Sequence, residues 1–395
     1  MKNSDTIKQA IGIDVGGTKV KIANISKTGD ISWSRKQPVV REGFKPFVRQ
    51  LARLIEEALT QLEGEGCAGI GIALPAVIDR EHNRVIQSPN LPFLDGSNLG
   101  KHLQKHLAKL RKGLSLNQEL PLTLGFDGTA SAVAEAWQGQ GRDYDNLITV
   151  VIGTGVGGGI ITEGRVVYGH NNVAGALGWM PLDSTSRDRE MSRDREQPLN
   201  FEEYCAGPGI ARRVRRLLDE VDDGRISGSR FRRNTDREES HRADRGESLQ
   251  NVDKRESQRN ADRGEFHRNV DKGESHRPTD KREPHLSRQT EDGKISLPRL
   301  IFDRAEAGEP RALDFVQDLT RKTGIYISAL VSILNPGVVI FGGSVGLRFQ
   351  PYLGIMEEVV RETAQPVAGS SVQLHCSRLG DDAGVMGAAG FILFE

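Results

Sequence analysis

Two short glycine-rich segments, each directly after a run of apolar residues, have the composition of phosphate-binding turns. The first, DVGGTK, occupies residues 14–19, and the second, GTGVGGG, occupies residues 153–159. Glycine has no Cβ, so its backbone can approach a ligand closely and direct N–H groups at phosphate oxygens. A further glycine pair follows an apolar run at residues 342–343. The residues expected to contact a phosphate-bearing ligand are Asp14, Gly16, Gly17, Thr18, Lys19, Gly153, Thr154, Gly155, Gly157, Gly342 and Gly343.

The second segment also fits the GxGxxG spacing of dinucleotide-binding proteins, through its glycines at 153, 155 and 158. That pattern requires a helix directly after the glycines. Here the residues at 160–161 and 165–168 predict a strand and a hairpin instead, which argues against the dinucleotide fold. The chain has no GxxxxGK[ST] run, so a P-loop is excluded. Two β-turn segments of this kind favour ATP held between two similar lobes.

Asp14 is a carboxylate at the end of an otherwise apolar strand segment. Burying a charge is costly unless it has a partner, so this aspartate needs a reason to be there. One explanation is a Mg²⁺ ion held through water, since this ion prefers oxygen ligands and keeps several of its waters. The alternative is a tight hairpin that requires glycine for its geometry alone.

Asp127 follows the predicted strand 121–126 and precedes a predicted helix that starts near residue 129. A carboxylate in this position can accept the proton of a sugar hydroxyl, which is a poor nucleophile until that proton is removed. The alternative is a helix N-cap, a role that aspartate often has.

The elements that would position these residues alternate between strand and helix patterns. Residues 10–25 and 147–168 each have the pattern strand, glycine turn, strand, and this repetition indicates two related lobes. Amphipathic spacing predicts a helix at 44–62. Further helices are expected at 101–112, 129–138, 210–221, 299–334, 351–365 and 383–393, and further strands at 67–78, 121–126, 338–341 and 372–375. The chain is therefore expected to be an α/β protein.

Residues 231–290 are rich in charged side chains and poor in apolar ones, unlike the rest of the chain. Aspartates at 244, 253, 262, 271 and 280 recur every nine residues. Nine residues are two and a half helical turns, so the repeat produces no apolar stripe. We expect a solvated, disordered insertion at about 225–296. A partner-binding or helix-forming role is the alternative.

The whole chain carries 54 basic and 54 acidic side chains, which gives no general reason to bind nucleic acid or an anionic membrane. Its three cysteines, Cys67, Cys205 and Cys376, lie far apart and lack metal-binding spacing. No apolar stretch is long enough for a transmembrane helix, and the first ten residues lack the apolar region of a signal peptide. We therefore expect a cytoplasmic protein that acts on a small molecule.

In combination, these segments resemble the ROK family (repressor, open reading frame, kinase) of the actin-like, sugar-kinase superfamily. The similarity covers nearly all of the chain outside residues 183–200 and about 225–296. The segments that carry it are DVGGTK (14–19), GIALPAVID (71–79), SPNL (88–91), FDGTASAVAEAWQG (126–139), GTGVGGGI (153–160), NNVAGALGWM (171–180), AGPGIARR (206–213), LNPGVVIFGGSVG (334–346) and GVMGAAG (384–390).

The resemblance implies a two-lobed, actin-like (ribonuclease H-like) fold with ATP and Mg²⁺ in a cleft between the lobes. The first lobe is expected at 1–122 and the second at 123–382, with the terminal helix near 383–395 packing back on the first. The resemblance also implies phosphoryl transfer to a sugar, with Asp127 as the catalytic base and Glu135 matching the glutamate eight residues on. A homodimer is the usual assembly of such proteins.

The family's sugar contacts are only partly present. Phe126 stands where an asparagine is usual, while Ala176 and Trp179 replace the glutamate and histidine of an AGExGH signature. The missing histidine and the missing cysteine cluster predict that no zinc is bound. Trp179 could stack on the apolar face of a sugar, and core packing is the alternative. The expected substrate contacts are Asn90, Phe126, Asp127, Trp179 and Glu202.

The sequence favours an ATP-dependent sugar kinase. The rival hypothesis is a catalytically weak, regulatory protein that binds sugar or nucleotide, because the usual sugar contacts are partly missing although Asp127 is retained. A DNA-binding repressor of the same family is not expected, since its winged-helix domain would precede the first strand, where about nine residues stand.

Overall fold

A computed structural model of the chain describes residues 7–62, 66–113, 119–181, 200–222 and 296–394. The chain divides into two compact units, Met1–Val214 together with Ser296–Glu395, and Arg215–Ile295. The first unit holds both large β-sheets. Of the second unit, the structure describes residues 215–222, which form the end of a helix. The nine-residue repeat lies outside the described residues, so the expected disorder there stays a prediction.

In the described part of the chain, the strands form two five-stranded sheets and one two-stranded hairpin. In chain order they are β1 (Ile7–Val15), β2 (Lys19–Ser26), β3 (Ile31–Pro38), β4 (Gly66–Leu74), β5 (Val77–Asp79), β6 (Arg84–Gln87), β7 (Leu122–Phe126), β8 (Leu147–Ile152), β9 (Val156–Thr162), β10 (Arg165–Val166), β11 (Val338–Gly342) and β12 (Gln373–Cys376).

Helices cover the faces of both sheets. In chain order they are α1 (Phe44–Thr60), α2 (Leu99–Gly113), α3 (Asp127–Gln138), α4 (Phe201–Cys205), α5 (Gly207–Asp222), α6 (Leu297–Glu306), α7 (Pro310–Leu334), α8 (Gly343–Gly346), α9 (Leu353–Thr363), α10 (Pro366–Ser371) and α11 (Ala383–Leu393). This arrangement confirms the α/β class expected from the sequence.

The first sheet has the order β3-β2-β1-β4-β7 and is buried on both faces at its centre. One face of β1 contributes Ile11 and Ile13 to a core that also contains Leu51 of α1 and Leu103 of α2. A strand that is covered on both faces carries a nearly continuous apolar run, which explains why β1 and β4 were visible in the sequence.

The other face of this sheet lies directly against α11. A Cβ on Gly12 of β1 or on Gly71 of β4 would overlap backbone carbonyl oxygens of that helix, at Val385 and Ala388. The glycines therefore allow the helix backbone to approach the sheet more closely than a side chain would permit. β7, which ends at Phe126, belongs to this sheet. The exact lobe boundaries stay a prediction.

The second sheet has the order β10-β9-β8-β11-β12. β8 and β9 form an antiparallel hairpin, while β11 runs parallel to both β8 and β12. A ring cluster supports this half of the molecule, with the ring centroids of Phe302 in α6 and Phe349 separated by 5.7 Å. The sheet carries the second glycine turn at one end of the β8–β9 hairpin.

The structure contains elements that the sequence did not predict. β3 is mostly exposed at the edge of its sheet, so it lacks the alternating apolar pattern of a half-buried strand. The β5–β6 hairpin has strands of three and four residues, which are too short to produce a periodic signal. α10 lies at the end of a stretch for which only one helix, 351–365, was expected.

Candidate active site

The first glycine turn connects β1 to β2 and is closed by its own backbone. The N–H of Gly16 donates to the carbonyl oxygen of Lys19 at 2.9 Å. From outside the turn, the N–H of Val39 donates to the carbonyl oxygen of Thr18 at 2.9 Å. Thr18 and Lys19 are exposed. The turn is therefore held from both sides, with its tip accessible to a ligand.

Asp14, next to the last residue of β1, is half-buried. Its side chain lies against the start of α11, where a Cβ on Gly384 would overlap the carboxylate. Burial raises the pKa of Asp14 to about 6, and the positive charges of Lys21 and Lys36 oppose the shift. No hydrogen bond to this carboxylate occurs within the described part of the chain. A desolvated carboxylate without a donor fits a cation as its partner.

Lys21 and Lys36 form a row with Asp14 across three strands, because Lys21 is the cross-strand partner of both Asp14 and Lys36. Nζ of Lys21 lies 2.5 Å from Oδ1 of Asp382, and Nζ of Lys36 lies 2.7 Å from Oδ2 of Asp381. The two ion pairs connect the strands beside Asp14 to the segment that begins α11. Both lysine charges are compensated by these aspartates.

Asp127 is the first residue of α3, and the preceding Phe126 occupies the N-cap position. The N-cap position expected as an alternative for Asp127 therefore belongs to Phe126, and that alternative is wrong. Oδ1 of Asp127 accepts a hydrogen bond from the N–H of Gly128, at 2.8 Å, within the first turn. Burial, and next the negative charge of Asp14, raise the pKa of Asp127 from about 3.8 to about 7. The carboxyl group is thus poised to exchange a proton near neutral pH.

The second glycine turn connects β8 to β9, and its glycines precede a strand rather than a helix. This confirms the argument against the dinucleotide pattern. The N–H of Gly153 donates to the carbonyl oxygen of Gly155 at 2.9 Å, and the N–H of Gly207 donates to that of Gly153 at 2.8 Å. Oε2 of Glu202 accepts from the N–H of Val156 at 2.8 Å. Glu202, predicted as a substrate contact, therefore supports this turn directly.

Phe126 connects the start of α3, which carries Asp127, to the second glycine turn. Its ring lies against Gly157, whose Cβ position would be 3.3 Å from Cζ, and against Gly128 of α3. The ring therefore occupies space beside Asp127 that the family pattern assigns to a polar side chain. The ring thus packs at the start of the helix that carries Asp127, and burial is the largest cause of the raised pKa of that aspartate.

Trp179 ends a single 3-10 turn, Leu177–Trp179, and its surface is 78% exposed. Core packing, the alternative for this residue, is therefore wrong. Gly178 next to it approaches the side chain of Glu202, with a Cβ position 3.0 Å from the glutamate Cβ. Glu202 therefore contacts both the turn that carries Trp179 and the second glycine turn.

Gly342 and Gly343 lie where β11 ends and α8 begins. Gly343 has a φ of 81°, which favours glycine, and a Cβ there would overlap the backbone of Ile152. The Cβ position of Gly153 would be 3.8 Å from Oγ of Ser344. This glycine pair therefore borders the second glycine turn, and its predicted contact with a phosphate-bearing ligand stays a prediction.

Two exposed side chains border Gly17 of the first turn. The Cβ position of Gly17 would be 3.8 Å from Cβ of Asn90 and 4.0 Å from Nη2 of Arg41. Asn90 was predicted from the SPNL segment, whereas sequence reasoning missed Arg41. No local sequence pattern indicated this arginine, because it is distant from the turn in sequence. The pairing of β3 with β2 brings it close to the turn.

A cation–π contact connects the first half of the chain to the second. The guanidinium carbon of Arg80, after β5, lies 3.4 Å from the ring centroid of Tyr168, after β10. Both side chains are half-buried. The strands that precede them belong to different sheets.

Among the described residues, no helix is long and apolar enough to cross a membrane. In the same ranges, no three His, Cys, Asp or Glu side chains cluster as metal ligands would. The expectation that no zinc is bound stays a prediction.

A family model described as "ROK family" matches residues 10–243 and 285–394. A glucokinase from Thermotoga maritima is 24% identical over 383 residues, which cover 97% of this chain and 96% of that protein. An N-acetyl-D-glucosamine kinase from Citrobacter koseri is 29% identical over 171 residues, which cover 43% of this chain and 52% of that protein.

Solved structures share the fold. A ROK family glucokinase from Streptomyces griseus, in complex with glucose and AMPPNP, has a TM-score of 0.65 at 20% identity, covering 98% of this chain and 100% of that chain. A ROK family transcriptional regulator, a homologue of the E. coli MLC protein, has a TM-score of 0.70 at 21% identity, covering 98% and 78%. These likenesses confirm the predicted two-lobed, actin-like fold. Because the family model matches most of the chain, the protein belongs to the ROK family.

Proposed function

We propose that this protein is an ATP-dependent kinase that phosphorylates a hydroxyl group of a sugar or sugar derivative. The observation that carries the proposal is the position of Asp127. Its neighbour Phe126 contacts the second glycine turn, and the negative charge of Asp14, which lies beside the first glycine turn, raises its pKa. A proton acceptor flanked by two backbone turns suits phosphoryl transfer. The similarity to a glucokinase and an N-acetyl-D-glucosamine kinase supports the same reaction class.

Asp127 acts as the general base in this proposal. The attacking hydroxyl loses its proton to the carboxylate while its oxygen forms a bond to the γ-phosphorus and the bond to the ADP oxygen breaks. A base is most effective when its pKa lies near the working pH, and burial raises the pKa of Asp127 to about 7. The Gly128 N–H keeps Oδ1 in place at 2.8 Å.

The two glycine turns and the Gly342–Gly343 pair would hold the nucleotide through their backbone N–H groups. Asp14 fits a Mg²⁺ ion, since its half-buried carboxylate accepts no hydrogen bond within the described residues and burial raises its pKa to about 6. Bound Mg²⁺ would supply positive charge to the phosphates during transfer. The ion pairs of Lys21 and Lys36 hold the α11 segment against this carboxylate.

The acceptor sugar would lie beside Asn90, Phe126, Trp179 and Glu202. Phe126 and Ala176 make this region less polar than the family pattern, and exposed Trp179 offers an aromatic face. Oε2 of Glu202 is engaged by Val156, so Oε1 would be its contact to a hydroxyl. A pocket that forms few hydrogen bonds discriminates weakly between related sugars. We therefore expect a derivatised or less polar sugar to compete well with glucose.

A coupled assay of ADP release over a panel of sugars, with Asp127→Asn alongside the wild type, tests the proposal. General-base loss lowers rate by about 10²–10⁴-fold, and calorimetry should show unchanged ATP binding. Equal turnover in the two proteins would remove Asp127 from its role. Tight ATP binding without turnover in either protein, for every sugar, would favour the regulatory alternative and would point to Phe126, Ala176 and Trp179 as the cause.

A further inference from the structure

We propose that Arg41 is a catalytic residue of the same site, which binds the phosphoryl group as it passes from ATP to the acceptor. The inference rests on the proposed kinase function and adds a residue that none of the glycine segments contains. It is carried by three observations: the way the segment of Arg41 is fixed, the contact its side chain makes, and the state of its charge.

The segment after β3 is fixed beside the first glycine turn. The N–H of Val39 donates to the carbonyl oxygen of Thr18 in that turn, at 2.9 Å. Gln50 of α1 holds the same segment from the other side, since its Nε2 donates to the carbonyl oxygen of Pro38 at 2.7 Å and its Oε1 accepts from the N–H of Val40 at 2.9 Å. Three hydrogen bonds therefore fix the backbone of the residues that precede Arg41.

The guanidinium of Arg41 donates to the carbonyl oxygen of Gly17 through Nη2. Asn90, a predicted sugar contact, borders the same glycine. A guanidinium has five N–H groups in a planar fork, so one hydrogen bond to the turn leaves the others available. The side chain is exposed, and its remaining donors are open to a ligand at the tip of the turn.

Among the residues that the structure describes, no carboxylate pairs with Arg41, since none lies within 4.0 Å of its guanidinium. Lys21 and Lys36, the lysines that face Asp14, are each paired with an aspartate at 2.5 Å and 2.7 Å. A guanidinium that pairs with no carboxylate in the described part of the chain, at the edge of a turn that presents backbone N–H groups, has the chemistry of an anion contact.

The phosphoryl group in transit suits this contact better than a neutral sugar does. In the transition state, negative charge is spread over the three equatorial oxygens of the transferring group. The hydroxyl proton leaves to Asp127 and ADP departs with the broken P–O bond, so Arg41 neither gives nor takes a proton. Its part is to stabilise charge, and an arginine in that role raises the rate strongly.

The test compares Arg41→Gln and Arg41→Lys with Arg49→Gln. Arg49 is an exposed arginine on α1, so its variant makes the same charge change away from the turn. We expect Arg41→Gln to lower kcat by about 10²–10³-fold, Arg41→Lys to recover part of the rate, and Arg49→Gln to behave as wild type. Calorimetry with AMPPNP and with ADP, each with Mg²⁺, should show weaker AMPPNP binding and unchanged ADP binding in Arg41→Gln.

Three results would overturn the proposal. Equal weakening of AMPPNP and ADP, with a lower melting temperature, would make Arg41 a structural support of the turn. Unchanged binding of both nucleotides, with a raised KM for the sugar, would make it a sugar contact. Unchanged kcat and binding would give it no role. If the wild type phosphorylates no sugar, the kinase proposal fails by itself, while the contrast between AMPPNP and ADP still decides whether Arg41 contacts the γ-phosphate.

Discussion

Among single residues, Asp127 stands out because its pKa is raised to about 7, close to neutral pH. Burial and the negative charge of Asp14 disfavour the carboxylate, whereas the Gly128 N–H favours it. Phe126 contributes by keeping an apolar ring beside the group. If Asp127 is the base of the proposed kinase, an apolar residue at position 126 would both offer the sugar no hydrogen bond and add to the burial that raises the pKa of Asp127.

The pH dependence of turnover should follow this raised pKa. Below about pH 7 the carboxyl group of Asp127 becomes protonated and cannot accept a proton, so kcat/KM should fall about tenfold per pH unit on the acidic side. Mg²⁺ near Asp14 would move the inflection to a lower pH, because a cation favours the carboxylate. Initial rates between pH 5 and 9 measure this. An Asp127→Asn profile with the same acidic limb would assign the limb to another group.

The same carboxyl group should make the free energy of unfolding fall as pH rises, whereas it makes turnover rise. A carboxyl whose pKa is higher in the folded state than in the unfolded state costs stability as pH rises from about 3.8 through about 7. Asp127→Asn removes that cost, so it should stabilise the fold by up to about 4 kcal/mol at pH 8, at about 1.36 kcal/mol per pKa unit, and by little at pH 4. Thermal melts of both proteins at the two pH values measure it. A loss of stability at both pH values would instead indicate that the carboxylate supports the helix.

At the scale of elements, the contact between α11 and the first sheet is the least tolerant of change. Gly12 and Gly71 leave no room for a side chain, because their neighbours are backbone carbonyl oxygens of a helix. A backbone group cannot move aside as a flexible side chain can. The start of α11 also faces Asp14, so displacement of this helix would disturb the candidate metal ligand.

Gly71→Ala should therefore destabilise the protein by about 3 kcal/mol, the upper end of what overpacking usually costs. Gly354→Ala is the matched control, since Gly354 lies in α9 and has no atom within 4 Å of its Cβ position. Alanine favours a helix over glycine by about 1 kcal/mol, so the control should be neutral or slightly stabilising. Denaturant unfolding compares the two variants. Equal stability of the two would show that α11 can move away from β4.

The strands and helices that the sequence predicted are those whose burial produces a recognisable apolar pattern. β1, β4 and β8 have apolar runs, and α11 begins and ends where its pattern predicted. β3 was missed because an exposed edge strand has no apolar alternation. Arg41 was missed for a related reason, since its approach to Gly17 depends on the pairing of that unpredicted strand with β2. Local patterns report burial, whereas this contact depends on tertiary structure.

At the scale of the whole molecule, the contact between Arg80 and Tyr168 joins segments that follow strands of different sheets. Kinases with a two-lobed fold close around the substrate. The contact between Arg80 and Tyr168 would stabilise the closed arrangement, in which these two segments lie close together. Tyr168→Leu should remove the ring and raise the sugar KM by about 2–10-fold, the range expected for a partly desolvated cation–π contact. Tyr168→Phe retains the ring and should resemble the wild type. A changed kcat with an unchanged KM in Tyr168→Leu would contradict this expectation.

The packing of α11 on β1 and β4 also has a consequence for the order of biosynthesis. β1 and β4 are translated before the helix that covers their second face, and that helix is made about 300 residues after β4 ends. At roughly 5–20 residues per second, the ribosome needs about 15–60 s to produce that cover. During this interval one face of the nascent sheet, which contains Ala10 and Ala23, has no helix to pack against. Slow translation or premature termination would therefore leave this apolar face available to chaperones and to aggregation.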